Sequence, residues 1–159
     1  MTDLDSKPPS FLRRHLARQS DSEHVLVGLA SDDNLWVRRQ ARDNPATPQW
    51  IVDLLVRAGA TPDLRGRGTA DADMPVDDLR RLAECGPWAQ LLVAEHPNAS
   101  AEILDALANH TNDRVRLAVA DHATASTMTL ARLCADGDDR IRRRVAEHPR
   151  RPTAIIDHM

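Results

Sequence analysis

A chain of 159 residues has the length of one ordinary domain, and a hydrophobic share of 42% is enough to furnish a core. Its 23 alanines, 20 arginines, single lysine (Lys7), single phenylalanine (Phe11) and absent tyrosine argue against a β-sandwich or barrel and for packed helices with small contact residues. The 21 basic and 24 acidic residues nearly cancel, which disfavours a dedicated nucleic-acid binder.

Residues 1–10, MTDLDSKPPS, are polar and show no charged-then-apolar signal layout. They read as a disordered tail on a cytoplasmic protein, and no later stretch approaches the ~20 apolar residues of a membrane span. A single domain then runs over 11–159. Its frame is set near the C-terminus, where Val93-Ala94-Glu95-His96-Pro97 recurs unchanged as Val145-Ala146-Glu147-His148-Pro149. Val119-Ala120-Asp121-His122-Ala123 lies midway, so the period is 26 residues. Carried leftward, the frame gives six units, beginning near 11, 37, 64, 89, 115 and 141.

The first unit is a weak copy, starting at Phe11 and continuing through Val25, Leu26 and Leu29. In the second, Trp36-Val37-Arg38-Arg39 leads to Asp43-Asn44-Pro45, and then to a Leu-rich stretch from Thr47-Pro48. The third is degenerate: residues 59–74 place Gly66 and Gly68 inside an expected helix, at about 1 kcal/mol each relative to Ala. This segment reads as a decayed repeat, a hinge or a ligand loop. The last three units are clear. Each unit predicts two short helices. The first carries apolar pairs one turn apart: Val37/Ala41, Ala89/Val93, Val115/Val119 and Ile141/Val145. It ends at Asn or His, usually before Pro. The second starts from a cap such as Thr47, with Pro48 at the first helical position, or Ser100. Its apolar residues include Ile51, Leu55, Leu79, Leu82, Ile103, Leu104, Leu107, Leu130 and Leu133. One such pair cannot bury its face, whereas stacked pairs can. The expected fold is an all-α helical-repeat solenoid.

The Val-Arg, Val-Ala and Asn/His-Pro steps, the Leu-rich helix and the Asp-rich turns (Asp32-Asp33, Asp138-Asp139) resemble the leucine-rich repeat variant family, a relative of HEAT-like repeats. The resemblance covers roughly residues 11–159. It implies a superhelix of short helices, with α and 3₁₀ helices alternating as in the founding member. That member's iron–sulfur module is not implied, because residues 1–84 contain no cysteine.

Three candidate features follow from the period. His96, His122 and His148 form a ladder with Asn44 and Asp71 in the same slot. Equivalent positions of packed helices stand about 8–10 Å apart, too far to share one ion at about 2 Å. Capping and inter-repeat hydrogen bonding is the expectation, with no metal and no cofactor. Arginines follow the first apolar residue at Arg38, Arg65, Arg116 and Arg142, with Arg39 and Arg143 one step later. They either fork to the ladder of Asp43, Glu95, Asp121 and Glu147 or line a surface for an acidic partner. HEAT-like repeats use such an Asp/Arg ladder, by resemblance. Arg142, Arg143 and Arg144 with Arg150 and Arg151 exceed what one ladder uses and are the candidates for an electrostatic contact. Trp36 and Trp88 share a slot that Arg114 and Arg140 take in the last units. Their rings either cover repeat junctions or anchor an interface. Trp50, in a second helix, is expected to pack locally. Cys134 reads as a small buried residue and Cys85 as part of a turn, neither with a nucleophile's signature.

No catalytic motif emerges, so a non-catalytic protein-binding scaffold is expected. Self-association is an added route, because Ile155 and Ile156 stop in mid-helix without a polar cap. The alternative is nucleic-acid backbone binding through the arginine stripe.

Overall fold

The computed structural model of the protein describes residues 8–61, 68 and 70–152. Ten helices occupy them: α1 (Ser10–Gln19), α2 (Glu23–Ala30), α3 (Leu35–Arg42), α4 (Gln49–Arg57), α5 (Val76–Ala83), α6 (Pro87–Glu95), α7 (Ala101–Leu107), α8 (Asp113–Asp121), α9 (Thr127–Leu133) and α10 (Asp139–Glu147). Among the described residues the chain is all-helical, and none of its helices is long and apolar enough to cross a membrane. All ten are α-helices, so the expected alternation with 3₁₀ helices is not adopted; even the seven-residue α7 and α9 close i→i+4 turns.

The apolar spacing explains the packing. Val37, Ala41, Ala89, Val93, Val115, Val119, Ile141 and Val145 have no solvent exposure. Each pair lies on one helical face, so burying it aligns the helix. α6 packs on α8 and α8 on α10, while α7 and α9 each touch the two helices that flank them. Leu79, Leu82, Leu104, Leu130 and Leu133 extend the same core from the shorter helices. Truncating Leu104 to Ala would cost about 2–5 kcal/mol.

Polar side chains cap five of the ten helices. Asn34, Asn112 and Asp138 accept from backbone N–H groups in the first turns of α3, α8 and α10, and Ser100 and Ser126 cap α7 and α9. Thr47 does not cap α4 as expected: its hydroxyl turns back to the Ala41 carbonyl at 2.5 Å, and Pro48 stands at the cap position rather than inside the helix.

The 26-residue spacing breaks at residues 59–74, where no described residue is helical. Gly59 takes φ +104°, the left-handed region that favours glycine. Ala60 N then bonds Leu55 O, Gly68 N bonds Gly59 O and Asp71 N bonds Arg57 O. Arg65 and Gly66 lie outside the described residues. Beyond the gap, α6 seats on the α2–α3 turn, with Trp88 N donating to Ser31 O at 2.9 Å. A Cβ at Gly86 would stand 2.6 Å from Ser31 Oγ and 3.1 Å from Ser31 O, so only glycine allows that approach. The expected apolar end at Ile155 and Ile156 lies outside the described residues; among those described, Phe11, Leu12 and Leu16 expose apolar surface on α1.

Candidate interaction groove

The histidine slot works as a hydrogen-bonded stair. Nε2 of His96 donates to Asp71 O at 2.9 Å, that of His122 to His96 O at 2.8 Å, and that of His148 to His122 O at 3.2 Å. Their Nδ1 atoms accept the N–H groups of Asn98, Thr124 and Arg150, which fixes the neutral Nε2–H tautomer. Asn44 makes the same two-sided connection, donating to Ala17 O and Ser20 O and accepting from Ala46 N. Asp71 keeps only half of it. Its carboxylate accepts from Asp73 N but has no proton to pass backward, and pairs with Arg57 at 3.3 Å instead. With both nitrogens engaged, these imidazoles have structural work. Burial also pushes the His96 pKa below its ordinary value.

The arginine slot is a turn clamp. Arg38 Nη1 donates to Asp32 O and Asp33 O, Arg116 Nη1 to His110 O and Thr111 O, and Arg142 Nη1 to Asp136 O. Each guanidinium thus ties down the turn that enters its own helix. Arg38 is only 3% exposed, and desolvation pulls its pKa down. The carboxylates also differ from the expected ladder. Arg116 forks to Asp136 at 2.8 and 3.2 Å, and Arg13 forks to Asp32 at 2.9 and 3.1 Å, so inter-element forks end on turn aspartates. Of the expected acidic ladder, Asp121 receives an arginine from the next register, Arg144 at 2.9 Å, whereas Asp43 pairs with adjacent Arg42. The fork with Arg116 holds Asp136 below the usual carboxylate range.

One register earlier the ion pair is exchanged for a neutral one. Gln90 stands where Arg116 does and His110 where Asp136 does, with His110 Nε2 bonded to Gln90 Oε1 at 2.8 Å. His110 Nδ1 accepts from Asn112 N just as Asp136 Oδ1 accepts from Asp138 N. The period offered this pairing, but residue type hid it.

Trp36 and Trp88 diverge despite their common slot. Trp36 is 54% exposed, with Arg39 over its ring at 5.3 Å. Trp88 is half-buried under Arg38, 4.1 Å from its centroid, and covers the junction of α6 with the α2–α3 turn. Trp50 does pack locally: Nε1 donates to Glu23 at 3.3 Å, and Arg81 lies 4.6 Å above the ring. These groups line a cleft of about 650 Å³ between α2, α4 and α5, a cluster outside the 26-residue register. Cys85 in its wall has a thiol pushed up by burial, so it stays protonated. Cys134, at the end of α9, is half-buried rather than enclosed.

Several arginines remain. Arg140 pairs with Asp113 and Asp138, and Arg142 also meets Asp139. Arg114, Arg143, Arg150 and Arg151 are exposed and have no ion pair among the described residues. Arg114 rims a groove of about 520 Å³ between α6 and α8, floored by Leu91, Ala94, Leu117 and Ala118 and closed at the far end by Glu95 and Asp121. Comparison of the chain with protein-family models, with curated proteins and with solved structures returned no match.

Proposed function

We propose that the chain is a non-catalytic scaffold that binds another protein through one face of a helical-repeat solenoid, of the kind the leucine-rich repeat variant resemblance implies. The observation that carries the reading is the apolar groove between α6 and α8, rimmed by Arg114, which has no ion pair among the described residues. A concave apolar surface with a free charge at its edge suits a specific protein contact. The histidine and arginine slots have structural employment: the imidazoles bridge backbones and the slot arginines clamp turns. The test is affinity capture from source cells with the full-length chain, with and without nuclease. A protein retained through nuclease treatment is the expected result; a catch lost on treatment refutes it.

A second reading is contact with a nucleic-acid backbone. It is favoured by Arg143, Arg150 and Arg151 in and beyond α10, exposed and without an ion pair among the described residues. Such binding would weaken steeply with salt.

A further inference from the structure

We infer that the α6–α8 groove receives an acidic peptide segment carrying one bulky apolar side chain, which rests on the protein-binding reading and specifies its partner. The floor argues for the apolar group. Half-buried Leu117 and Ala118, with exposed Pro97 and Ala123, present carbon to a space of about 520 Å³ over buried Leu91 and Ala94, and burying a bulky apolar side chain there is favourable.

The rim argues for the acid. Asp121, at the far end, is spent on Arg144 at 2.9 Å, and Glu95 is also engaged. Arg114, at the near end, has no ion pair among the described residues. Leu91, Leu117 and Arg143 stand 26 residues apart, at equivalent positions of α6, α8 and α10. At the position where a third leucine would follow, α10 carries exposed Arg143, which has no ion pair among the described residues. Arg140, the counterpart of Arg114, is neutralised by Asp113 and Asp138. Among the charged residues that line the groove, Arg114 is thus the one without an ion pair among the described residues.

Each competing occupant leaves something unmatched. A neutral apolar peptide would desolvate Arg114 without a counter-charge, and a basic one would be repelled. A nucleic acid would neutralise the arginines and leave the floor empty. A second copy offering the exposed apolar face of α1, where Phe11, Leu12 and Leu16 sit among exposed Arg14 and Arg18, would bring like charge to like.

The experiment pans a displayed library of random short peptides on the full-length chain, then measures the most enriched peptide by fluorescence anisotropy. Enriched sequences should carry a bulky apolar residue flanked by Asp or Glu. Exchanging those acids for Asn and Gln should weaken binding, as should Arg114→Glu combined with Arg143→Glu, by about tenfold or more. Leu117→Glu should abolish it. Should Leu117→Glu lose helicity, the exposed arginine variants and the peptide exchange still decide the matter. No enrichment, enrichment of basic or uncharged peptides, or binding indifferent to the arginine reversal overturns the inference. So does an oligonucleotide that binds the wild type and not the arginine variants, or dimerisation that Leu117→Glu removes. A nuclease-resistant partner still captured by the arginine variants would end the groove assignment alone; a nuclease-sensitive catch would end the scaffold reading itself.

Discussion

Replacing His122 tests whether the histidine slot is a two-sided connector. In the native chain its Nε2–H donates to His96 O at 2.8 Å, and Nδ1 accepts from Thr124 N at 3.2 Å. The His96 carbonyl also accepts from Ala99 N, so it keeps one partner when the imidazole is lost. His122→Ala therefore removes these two hydrogen bonds, worth about 0.5–1.5 kcal/mol each, the contact of Thr124 Oγ1 with Nδ1 at 3.0 Å, and the packing of a buried ring. The expected loss is about 2–4 kcal/mol. His122→Asn should recover most of it, because Asn44 already donates backward and accepts forward in the equivalent slot. His122→Asp should fall between them: like Asp71, it would retain the forward acceptor and lose the backward donor. The assay is equilibrium urea unfolding followed by circular dichroism, comparing midpoints at unchanged slope. Equal destabilisation by Asn and Ala would refute the connector, as would an Ala variant as stable as wild type.

The same slot predicts a pH response. Burial lowers the folded-state pKa of His96, so below the ordinary histidine value of about 6.5 the unfolded chain takes up the proton first. Stability attributable to this group is complete above that value and is lost as pH falls through the folded pKa; urea midpoints measured across this window should decline, and His96→Asn should flatten the decline. Gly86→Ala should destabilise the chain by about 1–3 kcal/mol, since the new Cβ would stand 3.1 Å from Ser31 O and 3.3 Å from Gly28 O, neither of which can rotate aside. Thermal melts report it, and an unchanged midpoint would refute the close seating of α6. Converting Gln90/His110 to the Arg/Asp pair of the next register should be tolerated, whereas Gln90→Arg alone should not be. A double-mutant cycle by urea unfolding should return a favourable coupling of about 0.5–2 kcal/mol, and additivity would refute the shared slot.

How far the sequence could be read depended on what each feature needed. The helices and their buried pairs were legible because period and residue type agree at Val115/Val119 and Ile141/Val145. The histidine slot was legible for the same reason, since Asn and His share an acceptor–donor geometry at a helix end. The arginine slot was legible in position but not in target. Arg38 and Arg116 turn to the carbonyls of the incoming turn, and those carbonyls leave no mark on a side-chain pattern. Gln90/His110 escaped because the pair keeps the hydrogen bond while abandoning the charge. Trp36 and Trp88 shared a slot and parted because the break at residues 59–74 brings α6 against the α2–α3 turn, covering one ring and not the other. The cleft of Trp50, Arg81 and Glu23 draws on unrelated registers, so no periodic reading could assemble it.

The arginines thereby separate into two populations that salt should distinguish. Arg38 and Arg116 hold backbone carbonyls at 2.8 Å, and Arg116 forks to Asp136, a side chain 7% exposed. Short hydrogen bonds in partly buried sites are screened weakly by ions. Arg114 and Arg143 face solvent without an ion pair among the described residues, so their attraction for a partner acts through water and falls with ionic strength. Stability and binding should therefore part company as salt is raised, with the fold holding while the partner leaves. If both fell together, the exposed arginines would be holding the helices to one another, and the surplus of charge beside the groove would need another explanation.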